Sequence, residues 1–247
     1  MQTTLREIRD TVVPDLTGPH GPLPPLLLAL TLVTGLVDAF SYLALGRVFV
    51  ANMTGNVVFL AFSLAGANGF SITASALAMV AFAAGAVLGG RLYVLMAEHR
   101  GRLLLAATAA QVLLVLAAMV VAELVDLPAR GGSRATLIVL VGFAMGTQNA
   151  VVRRLAVPDL TTTVLTMTIT GIAADSRIAG GSGGKAGRRV LSALAMFLGA
   201  LAGAALIVHG HPQVPLPIAA GLLVAVAAAL LPHRRSVSRW AVGVGHA

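Results

Sequence analysis

Cysteine is absent from this chain of 247 residues, which excludes disulfides, thiolate metal sites and a cysteine nucleophile. Aromatic side chains are scarce, with one Trp and two Tyr. No basic stripe is interleaved with them, so the usual footprint of a nucleic-acid binder is missing. Charge is also in short supply. Only 11% of the residues are charged, against about 25% in a soluble domain, while 57% are hydrophobic and the mean hydropathy is +0.92. So little polar surface cannot coat a soluble globule, and the sequence reads as an integral membrane protein. The net charge of +8 comes from arginines in short loops beside apolar runs, where membrane topology signals sit.

Eight apolar segments can be read, at roughly 25–45, 49–65, 72–97, 103–125, 135–152, 157–173, 190–209 and 215–232. A shift of about 107 positions, which carries Thr54 onto Thr161, superimposes the first four on the last four once the glycine-rich stretch Gly180–Gly184 is allowed for. An all-α membrane helix bundle of two internal repeats is implied. The organisation reads as a polar N-terminal tail over 1–24, expected to be poorly ordered, a first repeat over 25–125, a linker over 126–134, a second repeat over 135–232, and a basic C-terminal tail over 233–247.

The second and sixth segments are short and each is interrupted: Ala51-Asn52-Met53-Thr54-Gly55-Asn56 in one, Pro158-Asp159-Leu160-Thr161-Thr162-Thr163 in the other. If neither crosses and the N-terminus is cytoplasmic, all of the 17 Lys and Arg except Arg47, Arg130 and Arg134 lie on the cytoplasmic side. Eight full crossings would give a less polarised split. The positive-inside rule therefore favours three spans plus one broken or re-entrant segment per repeat, with both termini cytoplasmic. Three spans per half makes the repeats inverted, an arrangement shared by several secondary transporters.

The stretches Gly35-Leu36-Val37-Asp38-Ala39-Phe40-Ser41-Tyr42-Leu43, Phe49-Val50-Ala51-Asn52-Met53-Thr54-Gly55-Asn56 and Gly142-Phe143-Ala144-Met145-Gly146-Thr147-Gln148-Asn149 resemble the YoaK-like family of bacterial inner-membrane proteins, over about residues 25 to 232. The resemblance implies a multi-span fold in the inner membrane and supplies neither substrate nor site residues.

Candidate site residues come from the chain itself. A carboxylate at Asp38, mid-helix, costs on the order of 2.5–3.5 kcal/mol by insertion scales. It reads either as an ion- or proton-coupling group facing Asn52, Asn56, Gln148 or Asn149, or as a structural hydrogen-bonding residue. Asn52, Thr54, Asn56, Asp159, Thr161, Thr162 and Thr163 can offer oxygens and amides to a ligand where backbone is unwound; alternatively they cross-link helices. The pairs Gly85/Gly89, Gly142/Gly146 and Gly199/Gly203 have the spacing for close helix packing, with homodimerisation as the second reading. Gly180–Lys185 lacks the pattern of a phosphate loop and reads as a flexible loop. His209 and His211 have no third ligand in sight, so no metal is expected. No cofactor is implied, and no nucleophile elbow or zinc helix supports catalysis. The function expected is transport of a small molecule or ion through a site between the repeats. The competing expectation is a membrane sensor or assembly scaffold.

Overall fold

The computed structural model describes residues 2–163, 165–176, 179–181 and 186–242, with side chains from Glu7 onward. Residues 182–185 of the glycine-rich loop lie outside the described residues. The helices are α1 (Gln2–Val12), α2 (Leu23–Ala44), α3 (Met53–Leu64), α4 (Ile72–Met96), α5 (Arg100–Glu123), α6 (Gly131–Leu155), α7 (Leu165–Ala174), α8 (Ala186–Val208) and α9 (Pro215–Leu230). Among the described residues there is no sheet, only two isolated β-bridges. The all-α expectation holds.

Local chemistry sets the helix starts. Proline opens α2 and α9, where its missing N–H breaks no helical bond. The hydroxyl of Ser71 accepts from the Ala74 amide (3.2 Å) at the head of α4, and His99 Nδ1 accepts from the Arg102 amide (3.1 Å) at the head of α5.

Among the described residues six helices, α2, α4, α5, α6, α8 and α9 with the short turn that extends it, are long and apolar enough to cross a membrane. The other two apolar helices, α3 with 12 residues and α7 with 10, reach only about 18 and 15 Å at ~1.5 Å per residue, well short of a ~30 Å hydrocarbon core. The protein is thus a multi-pass membrane bundle. Its outer faces are apolar, with Val80, Val87 and Val94 of α4 and Phe197, Leu198 and Leu201 of α8 all exposed.

The core centres on α2 and α6. The helix α2 packs against α8 and α9, and α6 packs against α4 and α5; α3 lies on α4, α7 on α8, and α5 on α9. Glycines make the two most intimate pairings. A Cβ on Gly146 would sit 1.9 Å from the Phe82 carbonyl oxygen, and one on Gly85 2.0 Å from that of Phe143. Across the other pairing, a Cβ on Gly199 would be 2.0 Å from the Leu32 oxygen and one on Gly35 2.2 Å from the Met196 oxygen. Such backbone approach is what small residues permit between membrane helices.

The N-terminal tail, expected to be poorly ordered, is packed on the bundle. The helix α1 packs on α8, where the Gly187 amide donates to Glu7 Oε2 (3.2 Å). At the other end, Trp240 and Ala241 are fully buried, and the Arg100 amide donates to the Ala241 carbonyl (2.8 Å). The Trp240 ring lies against Gly21, where the positive φ of 52° and a Cβ only 2.3 Å from the ring leave room for glycine alone.

Candidate functional site

The chain leaves α2 at Ala44, and α3 begins only at Met53. Two side chains hold the intervening backbone. Asp38, one and a half turns before the end of α2, accepts at Oδ1 from the amides of Val50 (3.1 Å) and Ala51 (2.9 Å). Asn56, fully buried in α3, closes a two-sided pair with Phe49: its Oδ1 accepts from the Phe49 amide (2.9 Å) and its Nδ2 donates to the Phe49 carbonyl (2.6 Å). These bonds satisfy backbone that the apolar interior would otherwise leave unpaired. The side chains expected around Asp38 are not its partners; backbone amides are. Its second oxygen, Oδ2, is buried and has no hydrogen-bond partner among the described residues.

The second interruption is held from α6 and α8. Gln148 Oε1 accepts from Gln111 Nε2 (2.7 Å), and Gln148 Nε2 donates to Thr34 Oγ1 (3.1 Å) and Thr162 Oγ1 (3.3 Å). All four side chains are buried, so one amide ties α2, α5 and α6 to the break. Thr163 Oγ1 donates to Asn149 Oδ1 (2.6 Å). Asp159 accepts from Arg189 Nε of α8 (2.8 Å), and Arg189 also pairs with Asp175. Three non-glycine residues here, Ala156, Asp159 and Thr162, have φ of 49°, 62° and 61°. Each such residue costs on the order of 1–3 kcal/mol and persists only where its surroundings fix it. Gln148 fixes Thr162, and Arg189 fixes Asp159.

Between the two interruptions lies a cavity of about 510 Å³. Asn52, Thr54 and Gly55 line it from one side and Thr163 and Thr166 from the other, with Phe59, Phe82 and Met196 among its apolar walls. Among the described residues no lining side chain carries a charge. A second cavity of about 480 Å³ shares Phe82 and Thr163 with the first. It continues past Asn149 and Thr161 to Arg153 and Arg154 at the end of α6.

The candidate residues therefore divide. Asn52, Thr54 and Thr163 face the first cavity, and Asn149, Thr161 and Thr163 the second. Asp38, Asn56, Gln148, Asp159 and Thr162 hold the backbone around them. Sequence reasoning passed over Gln111 and Thr34, although polar residues inside apolar helices are a usable signal. It also passed over Phe82, which is one apolar residue among many and carries no such signal.

The family description "Protein of unknown function (DUF1275)" matches residues 26–229. The chain belongs to this family. It is 32% identical over 152 residues to the UPF0700 transmembrane protein YoaK of Bacillus subtilis (strain 168), a match that spans 61% of this chain and 65% of that protein. The YoaK-like resemblance read from residues 35–43, 49–56 and 142–149 is thereby established. No solved structure matches the chain.

Proposed function

We propose that this protein is a transporter of the bacterial inner membrane whose substrate site is the cavity between the two interruptions. The observation that carries the reading is that residues 51–55 on one side and Thr163, Leu165 and Thr166 on the other, distant in sequence, wall a single cavity. Unwound segments meeting between helices are where secondary transporters bind substrate. The pairing scheme supports inverted repeats: α2 with α8 mirrors α6 with α4, α2 with α9 mirrors α6 with α5, and α3 on α4 mirrors α7 on α8. With both termini cytoplasmic, as the arginine distribution favours, the two interruptions enter from opposite faces. An uncharged lining of Asn and Thr with Phe and Met suits a small solute without net charge, since a buried charge needs a partner. The protein acts by binding and passage rather than catalysis.

The test has two arms. Single cysteines at Asn52 and Thr163, read against Val80→Cys on the outer face of α4, should react with a small water-soluble thiol reagent while the control does not. Cells lacking or overproducing the protein are then compared for uptake and export across a panel of neutral metabolites and amino acids. A solute whose flux follows protein level and is lost on Asn52→Leu supports the proposal; cavity cysteines as inert as Val80→Cys would defeat it. The scaffold reading is favoured by one fact, that Asp38, Asn56 and Gln148 are all engaged by the protein itself. It expects normal assembly phenotypes to fail in Asn56→Leu and to survive in Asn52→Leu.

A further inference from the structure

A third cavity, of about 410 Å³, lies at the end of the bundle where α4 finishes, α5 starts and α6 finishes. Pro19 and His20 before α2 and Arg239 and Val242 after α9 close over it. Arg100, Arg154 and Arg239 line it, and among the described residues no acidic side chain does. The central one, Arg100, is 8% exposed. Its guanidinium donates only to neutral carbonyls: Pro19 (3.1 Å), Trp240 (3.4 Å) and Leu155. Among the described residues no ion pair reaches Arg100, Arg154 or Arg239.

A buried guanidinium held by three carbonyls and facing two further arginines is an unbalanced charge, which is expensive to keep in a dry site. His20 beside them has a buried Nδ1 with no hydrogen-bond partner among the described residues. Burial, and then the positive charges of Arg100 and Arg188, hold the imidazole below its ordinary pKa. The wall between the arginines is apolar, with Tyr93, Ala97 and Leu103, and Arg154 sits over the Tyr93 ring at 4.7 Å. Val94 and Leu95, beside this wall, are among the most exposed side chains of the bundle.

We propose that this cavity binds a phosphate group, carried either by an acidic phospholipid headgroup or by a soluble phosphorylated compound. Planar guanidinium groups match phosphate oxygens in pairs, and a phosphate dianion or diester supplies the charge that the cavity lacks. The apolar strip at Tyr93 to Leu103 then takes the part of the ligand next to the phosphate. Trp240 and Gly21 bring the two tails together over the site, so a bound phosphate would also tie both ends of the chain to the bundle.

The experiment uses the full chain in nanodiscs of zwitterionic phosphatidylcholine, with thermal unfolding as the readout. One arm adds inorganic pyrophosphate against sodium chloride of equal ionic strength; the other replaces a minor part of the lipid by phosphatidylglycerol. Binding to the folded state raises the midpoint, and a rise of several degrees is expected in at least one arm. A rise with the lipid alone identifies the headgroup as the source, and a rise with pyrophosphate a soluble ligand. Because Arg100→Gln also removes bonds to three carbonyls, the test rests on the exposed pair, Arg154→Gln with Arg239→Gln, which should fold yet lose the rise. A midpoint that neither probe moves beyond the chloride control, or a rise that the double variant keeps in full, overturns the proposal. Neither result depends on whether the protein transports anything.

Discussion

Asp38→Asn should leave an oxygen in place for the amides of Val50 and Ala51 while removing the ionisable group. The expected outcome is a folded protein with nearly unchanged thermal unfolding. Asp38→Leu strands two buried amide donors and should cost on the order of 2–5 kcal/mol. If the unpartnered Oδ2 carries a coupling proton, the Asn variant in reconstituted vesicles keeps substrate exchange and loses gradient-driven accumulation; full accumulation would make Asp38 purely structural. Asn56→Leu breaks both bonds to Phe49 and should lower stability by about 2–5 kcal/mol. Asn52→Leu, whose native side chain has no hydrogen-bond partner among the described residues, should leave stability within about 0.5 kcal/mol. The polarity of Asp38, Asn52 and Asn56 made all three legible in the sequence. Their division into cavity wall and backbone support was not, because it depends on how far the chain turns back after Ala44.

At the scale of the helix, apolar runs were enough to place the six long helices. The short ones were harder. Residues 49–65 read as one apolar segment, yet α3 starts at Met53 because Asp38 and Asn56 hold residues 49–51 in a non-helical path. For the same reason 157–173 shrinks to α7, with Thr162 and Asp159 fixed in left-handed conformations. The glycine spacings announced close packing without naming the partner. Gly146→Val forces side-chain atoms into the space of the Phe82 carbonyl and should destabilise by about 1–3 kcal/mol or more, as overpacking does. Gly221→Ala in α9, where a Cβ would meet nothing within 4 Å, should be neutral or slightly stabilising. Thermal unfolding of the two variants side by side checks the contrast.

For the whole molecule, orientation is the property most directly open to measurement, since a chain without cysteine makes any introduced thiol unambiguous. Ser133→Cys should react with an impermeant reagent outside intact cells, and Ser182→Cys should react only after lysis. Reaction of both, or of neither, in intact cells would refute the six-span arrangement with cytoplasmic termini. The loop arginines predict this orientation from the sequence; the exchange of partners between the two stretches of chain is not legible there, because hydropathy says nothing about which helix sits beside which. That exchange bears on biogenesis. When residues 25–125 have left the ribosome, α2 and α4 are inserted but their glycine-lined partners, α8 and α6, are still unmade. The first stretch must therefore wait in the lipid with its tightest surfaces open. Produced alone it should be a poor product, prone to degradation, whereas the two stretches produced together as separate chains should find each other and survive.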